Sequence, residues 1–406
     1  MYKKLGLLAA LTFIVSVGVF GFRVRFPASL IFDESYYVSA AREVLKDGVN
    51  QNWSHPPLGK WLISRSMATF GQNPFGTRAF SVLFGAGAVV AIELLAYFLY
   101  GDLWLAAAVA LLTLTNGMLF VMARVAMLDV FMIFFMLAGL AVFAAARRET
   151  VSPRARLLLF SVSGLCFGLA TECKWIGIFP VFVCLALSLK KNWRQALVAF
   201  VAIPVVVYAS VFGILLMHMH SSQGVAYSFS GELLAQWDML TAHLDRLPFY
   251  HAYANSWIDW PLNSRPTLFS HTYAYFGEDW KSNVIFFLLN PVIAWTGFSA
   301  LFLILWKIWR RDERSLFVGS LFFICWLPWA ALNRSTFLFY YFAAASFLPL
   351  VIVDASTLFP RRRQAVFCLV LLNVIFFIYL WPILASQSLF RSQITSRLWL
   401  FPNASF

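Results

Sequence analysis

Asp33 and Glu34 stand side by side where a long apolar stretch, residues 5–22, gives way to IFDESYYVSAAREVLKDG, a helical pattern. A helix N-terminus keeps a carboxylate ionised, so Asp33 suits the part of a general base. The same dipole makes Asp33 a natural N-cap and Glu34 a favourable first-turn charge, and the two uses are compatible. NWSHPPLGKWL follows, in which a proline pair fixes an extended entry and Gly59-Lys60-Trp61 opens another helix. His55 and Lys60 either face one polar pocket with Asp33 or belong to a membrane-surface loop with a snorkelling lysine. MARVAMLDVF then places Arg124 and Asp129 five residues apart. That is about 140° around a helix, so the two are not an i,i+4 pair and reach different partners. Ionisable groups at the end of a span are functional candidates by default, with interhelical pairing as the plain alternative. Glu172 and Lys174 form a weaker pair at similar depth, and Glu93 reads as a structural polar contact.

Two later segments carry further candidates. FYHAYANSWIDWPLNSRP gathers two Trp, two Tyr, His251 and Arg265. It reads as interfacial first and as an acceptor groove second. Asn333-Arg334 ends an apolar run before FLFYYFAAASFLP. A lone rim arginine is the plain reading there.

The elements that must hold these residues are membrane helices. Of 406 residues, 61% are hydrophobic and 12% charged, against about 25% charged in soluble domains. Apolar runs at about 5–22, 79–100, 103–116, 121–146, 157–171, 175–189, 195–217, 283–306, 315–333, 336–354 and 364–386 predict eleven spans. The basic N-terminus reads as an uncleaved first helix. With the N-terminus inside, the short inner loops collect 16 of the 31 Lys and Arg residues and five acids. The net charge of +13 is therefore a positive-inside signal and not a nucleic-acid patch. Two outer segments, 23–78 and 218–282, are too long for turns and alternate aromatic with polar residues, as short interfacial helices do. The chain thus reads as one all-α integral membrane domain over residues 1–406 with no separate soluble domain. Cys166, Cys173, Cys184, Cys325 and Cys368 show neither CxxC nor metal spacing and read as small core residues.

The candidate charges collect toward the outer side. A transporter buries ionisable groups near the midplane, so the pattern favours an enzyme drawing substrate from the outer leaflet. Asp33-Glu34, His55-Pro56-Pro57-Leu58-Gly59-Lys60, Arg124 with Met127-Leu128-Asp129, and Lys174-Trp175-Ile176-Gly177 together resemble the protein O-mannosyltransferase family. Residues 251–257, Trp260-Pro261-Leu262, Arg265-Pro266 and Phe339-Tyr340-Tyr341 extend the resemblance in the family's order.

The resemblance implies a GT-C fold and transfer of mannose, or a related sugar, from polyprenyl phosphate to Ser or Thr hydroxyls outside the cytoplasm. It implies Asp33 as the catalytic carboxylate, with Glu34 and His55 on the acceptor side. Lys60, Arg124, Lys174 and Arg334 would meet the donor phosphate, and Asp129, Glu172 and Tyr341 would line the rest of the pocket. The second outer segment is too short for the β-trefoil domain of eukaryotic members, and Tyr341 stands where a His is often expected. Both point to a bacterial-type, inner-membrane member and leave open a lipid A or other glycan acceptor. Phosphate is a good leaving group, so one base and several cations suffice, with inversion at the anomeric carbon. No cofactor is required, and the spacing neither demands nor forbids a divalent metal.

Overall fold

In the computed structural model, residues 2–46, 52–222, 228–244, 253–276, 279–332, 335–401 and 403–404 are described. The helices are α1 (Tyr2–Gly21), α2 (Glu34–Lys46), α3 (Leu58–Phe70), α4 (Pro74–Tyr100), α5 (Leu103–Leu114), α6 (Gly117–Met122), α7 (Leu128–Ala146) and α8 (Pro153–Cys173). They continue as α9 (Phe179–Leu197), α10 (Ile203–Ser222), α11 (Phe229–Leu244), α12 (Pro291–Trp309), α13 (Glu313–Trp326), α14 (Phe342–Ala345), α15 (Leu348–Ser356), α16 (Arg362–Leu384) and α17 (Arg391–Leu398). Three strands, β1 (Thr267–Phe276), β2 (Asp279–Phe287) and β3 (Ser388–Phe390), form one antiparallel sheet in the order β1-β2-β3.

Local sequence explains the helix starts. Ser152 accepts from Ala155 N before Pro153 at the head of α8, and Asp102 accepts from Trp104 N and Leu105 N at the head of α5. Asn290 and Asp312 cap α12 and α13 in the same way. Each supplies an oxygen for a helix N–H that has no intrahelical partner.

Among the described residues, eight helical stretches are long and apolar enough to cross a bilayer, and a pair bent by 45°, 338–345 with 348–356, would make nine. Three of the expected eleven spans are not matched by this measure of length and composition. Helix α5 has 12 residues, roughly 18 Å, against about 30 Å of hydrocarbon. Residues 175–215 run on as one 41-residue stretch, interrupted by non-helical backbone at Asn192. The run at 336–354 is the bent pair. The all-α expectation is also corrected, because residues 267–287 pair as a hairpin. The aromatic and polar alternation in TLFSHTYAYF has the two-residue period of a strand, and β-branched and aromatic residues fill it. The 283–306 run accordingly begins as strand and becomes helix only at Pro291.

The chain packs as two compact units. One comprises residues 1–12, 99–121 and 248–406. In it Lys307 pairs with the buried Asp354 at 2.7 Å, and Ser315 and Thr357 close the knot. Asn290 Nδ2 donates to the carbonyls of Thr115 and Asn373.

The other unit comprises residues 13–98 and 122–247 and holds the charged motifs. Two glycines set its helix spacing. A Cβ at Gly164 would lie 1.8 Å from the Ala199 carbonyl oxygen, so α8 packs at backbone distance on the segment leading into α10. A Cβ at Gly59 would lie 2.7 Å from Leu128, which seats the start of α3 against the start of α7. Helix α11 is amphipathic: Leu233, Leu234 and Trp237 are exposed, while Glu232 and Met239 are buried. The 23–78 segment does contain two short helices, α2 and α3, as expected.

Candidate active site

The turn before α2 presents Asp33. Phe32 has φ of +49°, the left-handed region that bulky residues avoid. The carbonyl of Asp33 accepts the first bonds of α2, from Tyr36 N at 3.0 Å and Tyr37 N at 3.2 Å. The Asp33 residue is half-buried, while Glu34 is fully buried.

Glu34 is what holds this strained turn. Its Oε1 accepts from Arg78 Nε at 2.8 Å and Ala126 N at 3.0 Å, and its Oε2 from Arg78 Nη2 at 2.7 Å and Ile31 N at 3.1 Å. Arg78 spends its remaining donors on the carbonyls of Val24, Pro27 and Ser29. All five guanidinium N–H groups are thus used, in the bidentate geometry that makes arginine–carboxylate pairs strong. Glu34, expected on the acceptor side, is 0% exposed with four donors on it, the geometry of a clasp. Sequence reasoning missed Arg78 altogether. Its signal was a single cation in the first turns of an otherwise apolar helix, which demands a partner.

The expected phosphate contacts are placed as follows. Lys60 is buried, and its Nζ donates to the carbonyls of His55, at 2.7 Å, and Asn52. Burial pushes its amine down to about 7, partly offset by the Glu172 carboxylate. Arg124 Nη1 donates to the carbonyls of Phe20 and Phe22, at and beyond the C-terminal end of α1. Lys174 Nζ meets both oxygens of Asp129, at 2.9 and 3.0 Å, and both side chains keep slight exposure. Asp129 and Arg124 therefore reach different partners, but Arg124 lies in the turn between α6 and α7, so the expected helical spacing is not the reason. Arg334 and His251 lie outside the described residues. Tyr341 belongs to the other unit, where it is buried against Trp260 and Phe322.

His55 links α2 to α11. Its ring lies 5.9 Å from Tyr37 and 5.2 Å from His243, which lies 5.9 Å from Trp175. Trp175 Nε1 donates to Tyr208 Oη at 2.9 Å, and that hydroxyl donates to Gln236 Oε1 at 2.6 Å. Glu172 is fully buried in the same region. Among the described residues no group of three or more His, Cys, Asp or Glu is placed to hold a metal.

The fold matches solved membrane glycosyltransferases. The S. cerevisiae protein O-mannosyltransferase Pmt1-Pmt2 complex bound to the sugar donor aligns with a TM-score of 0.84 at 13% identity, over 99% of this chain and 93% of that one. ArnT from Cupriavidus metallidurans bound to undecaprenyl phosphate aligns with a TM-score of 0.61 at 16% identity, over 98% and 72%. The architecture is thus that of a GT-C membrane protein.

Residues 10–220, just over half of the chain, match the model of the dolichyl-phosphate-mannose-protein mannosyltransferase family, and the chain belongs to that family. A polyprenol-phosphate-mannose–protein mannosyltransferase of Mycobacterium tuberculosis is 32% identical over 183 residues, covering 39% of this chain and 35% of the relative. An undecaprenyl phosphate-alpha-4-amino-4-deoxy-L-arabinose arabinosyl transferase of Pseudomonas aeruginosa is 34% identical over 145 residues, covering 35% and 26%. The chain spans about a third or less of the length of these curated relatives.

Proposed function

We propose that this protein is an inverting glycosyltransferase that moves mannose or a close relative from polyprenyl phosphate to Ser or Thr hydroxyls of translocated proteins. The observation that carries the reading is the Asp33 turn: a half-buried carboxylate beside a strained Phe32, held in place by the Glu34–Arg78 clasp. The acceptor oxygen attacks the anomeric carbon as the bond from that carbon to the phosphate oxygen breaks. Asp33 takes the hydroxyl proton, and the lipid phosphate leaves with the bonding pair. Lys174 supplies positive charge for that phosphate, with Asp129 orienting its amine until the donor arrives. One base among several cations fits a substrate whose leaving group needs no proton.

The active site belongs on the non-cytoplasmic face, because the basic residues of the short loops favour the opposite side. A lipid A or other glycan acceptor is the second reading, favoured by the similarity to the arabinosyl transferase. The reading predicts that the purified protein consumes undecaprenyl-phosphate-mannose in detergent and leaves a hexose on a Ser- or Thr-containing peptide. Mass spectrometry of the peptide decides it. Donor turnover with lipid A labelled and peptide unlabelled would shift the assignment to the second reading, and absence of turnover with every acceptor would sink both.

A further inference from the structure

Glu172 costs the fold more than it returns. It is 0% exposed, and neither Oε1 nor Oε2 has a hydrogen-bond partner among the described residues. It stands in the last turn of α8, where the helix's own carbonyl ends repel a carboxylate. Glu232 of α11 adds a second negative charge nearby, and Lys60, whose attraction it feels, gives its hydrogen bonds to the His55 and Asn52 carbonyls. A buried polar group with no partner among the described residues calls for one.

A second orphan lies in the same cluster. Gln236 accepts from Tyr208 through Oε1, but its buried Nε2 has no partner. Tyr208 ties the two together: it binds Gln236 and feels the Glu172 charge. The cluster therefore offers two unused acceptor oxygens and one unused amide donor, beside the half-buried Trp175 ring. A phosphate brings only acceptors and cannot meet the two Glu172 oxygens. A hydroxyl group answers both orphans, since it donates to a carboxylate and accepts from an amide.

We propose that Glu172 and Gln236 read the hydroxyls of the donor's sugar ring, apart from the cations that meet its phosphate. This rests on the donor assignment above and adds to it the residues that tell one sugar from another. Glu172 is a specificity residue here and takes no proton in the transfer.

The test uses the full chain in detergent and two probes, undecaprenyl-phosphate-mannose and sugar-free undecaprenyl phosphate. Glu172→Gln keeps the side-chain shape and should weaken the sugar-bearing probe about 10- to 100-fold, the scale of a lost hydrogen bond to a charged group. Affinity for sugar-free undecaprenyl phosphate should change by less than about 2-fold. Gln236→Leu should show the same selectivity at about 3- to 10-fold, and it decides the matter if the Glu172 variant does not fold. A donor whose sugar lacks one hydroxyl at a time should bind wild type and Glu172→Gln alike at the position Glu172 reads. Equal losses on both probes, or unchanged affinity for the mannosyl probe, overturn the proposal while leaving the donor assignment intact. If wild type binds neither probe, the donor assignment fails and takes this proposal with it.

Discussion

Replacing Glu34 by Gln removes a charge without changing shape, and the structure says what should follow. The carboxylate accepts four hydrogen bonds: two from Arg78, one from Ala126 N and one from Ile31 N. An amide offers one oxygen in place of two and turns its NH₂ toward groups that are themselves donors. Arg78, 1% exposed, is left with an uncompensated charge in the interior. Breaking a buried pair from one side costs about 3–5 kcal/mol, a large part of a typical domain's stability of roughly 5–15 kcal/mol. The Phe32 turn is then free to relax, and a misplacement of about 1 Å at Asp33 should lower turnover about 10²-fold. Thermal inactivation in detergent and donor turnover measure the two effects. The double variant Glu34→Gln, Arg78→Met should regain much of the stability but not the turnover, since an apolar replacement removes the stranded charge without restoring the clasp. If Glu34→Gln is as stable as wild type and loses activity only as a raised acceptor KM, the clasp reasoning is wrong and Glu34 is an acceptor contact after all.

Asp33→Asn should fold and bind donor near normally while cutting transfer about 10²-fold or more; near-normal turnover would pass the base role to Asp129. Lys60 has a folded pKa of about 7 against 10.5 when unperturbed. The unfolded chain therefore binds more protons between these values, and Lys60 makes stability rise with pH across that window and flatten below it. The difference in melting temperature between wild type and Lys60→Met should change with that sign between about pH 6.5 and pH 9, and a pH-independent difference would contradict it. Reporter fusions after Arg156, Arg194 and Arg363 should read cytoplasmic; a non-cytoplasmic result at two of them would reverse the assigned face.

The sequence made the site legible at the level of motifs and not of partners. Asp33, Glu34, Lys60, Asp129 and Lys174 announce themselves because charge is scarce in so apolar a chain. Which of them touch is decided by packing between helices far apart in the chain. Arg78 lies 44 residues from the carboxylate it clasps, and Lys174 lies 45 from Asp129. No local period carries that information, so Glu34 reads as a free neighbour of Asp33 until its partner is seen. The hairpin was missed for a different reason. Aromatic residues alternating with polar ones suit both a membrane-surface helix and a strand, and the pairing of β1 with β2 settles which. The span count goes unmatched where length is the weak criterion, at twelve-residue α5 and in the 175–215 stretch, which Asn192 interrupts.

Helix α11 has a consequence for anyone handling the protein. One face carries Gln236 and His243 toward the cluster around Trp175 and Tyr208, while Leu233, Leu234 and Trp237 on the other are exposed. An exposed apolar face of this kind suits acyl chains, as the polar face suits the cluster. The proposal that Gln236 reads the donor sugar then predicts that bilayer thickness and headgroup composition shift sugar selectivity, by setting how deeply α11 sits. A solubilised preparation that still binds lipid phosphate but has lost its preference among sugars would be a protein deprived of its solvent. Reconstitution into vesicles is the remedy for it.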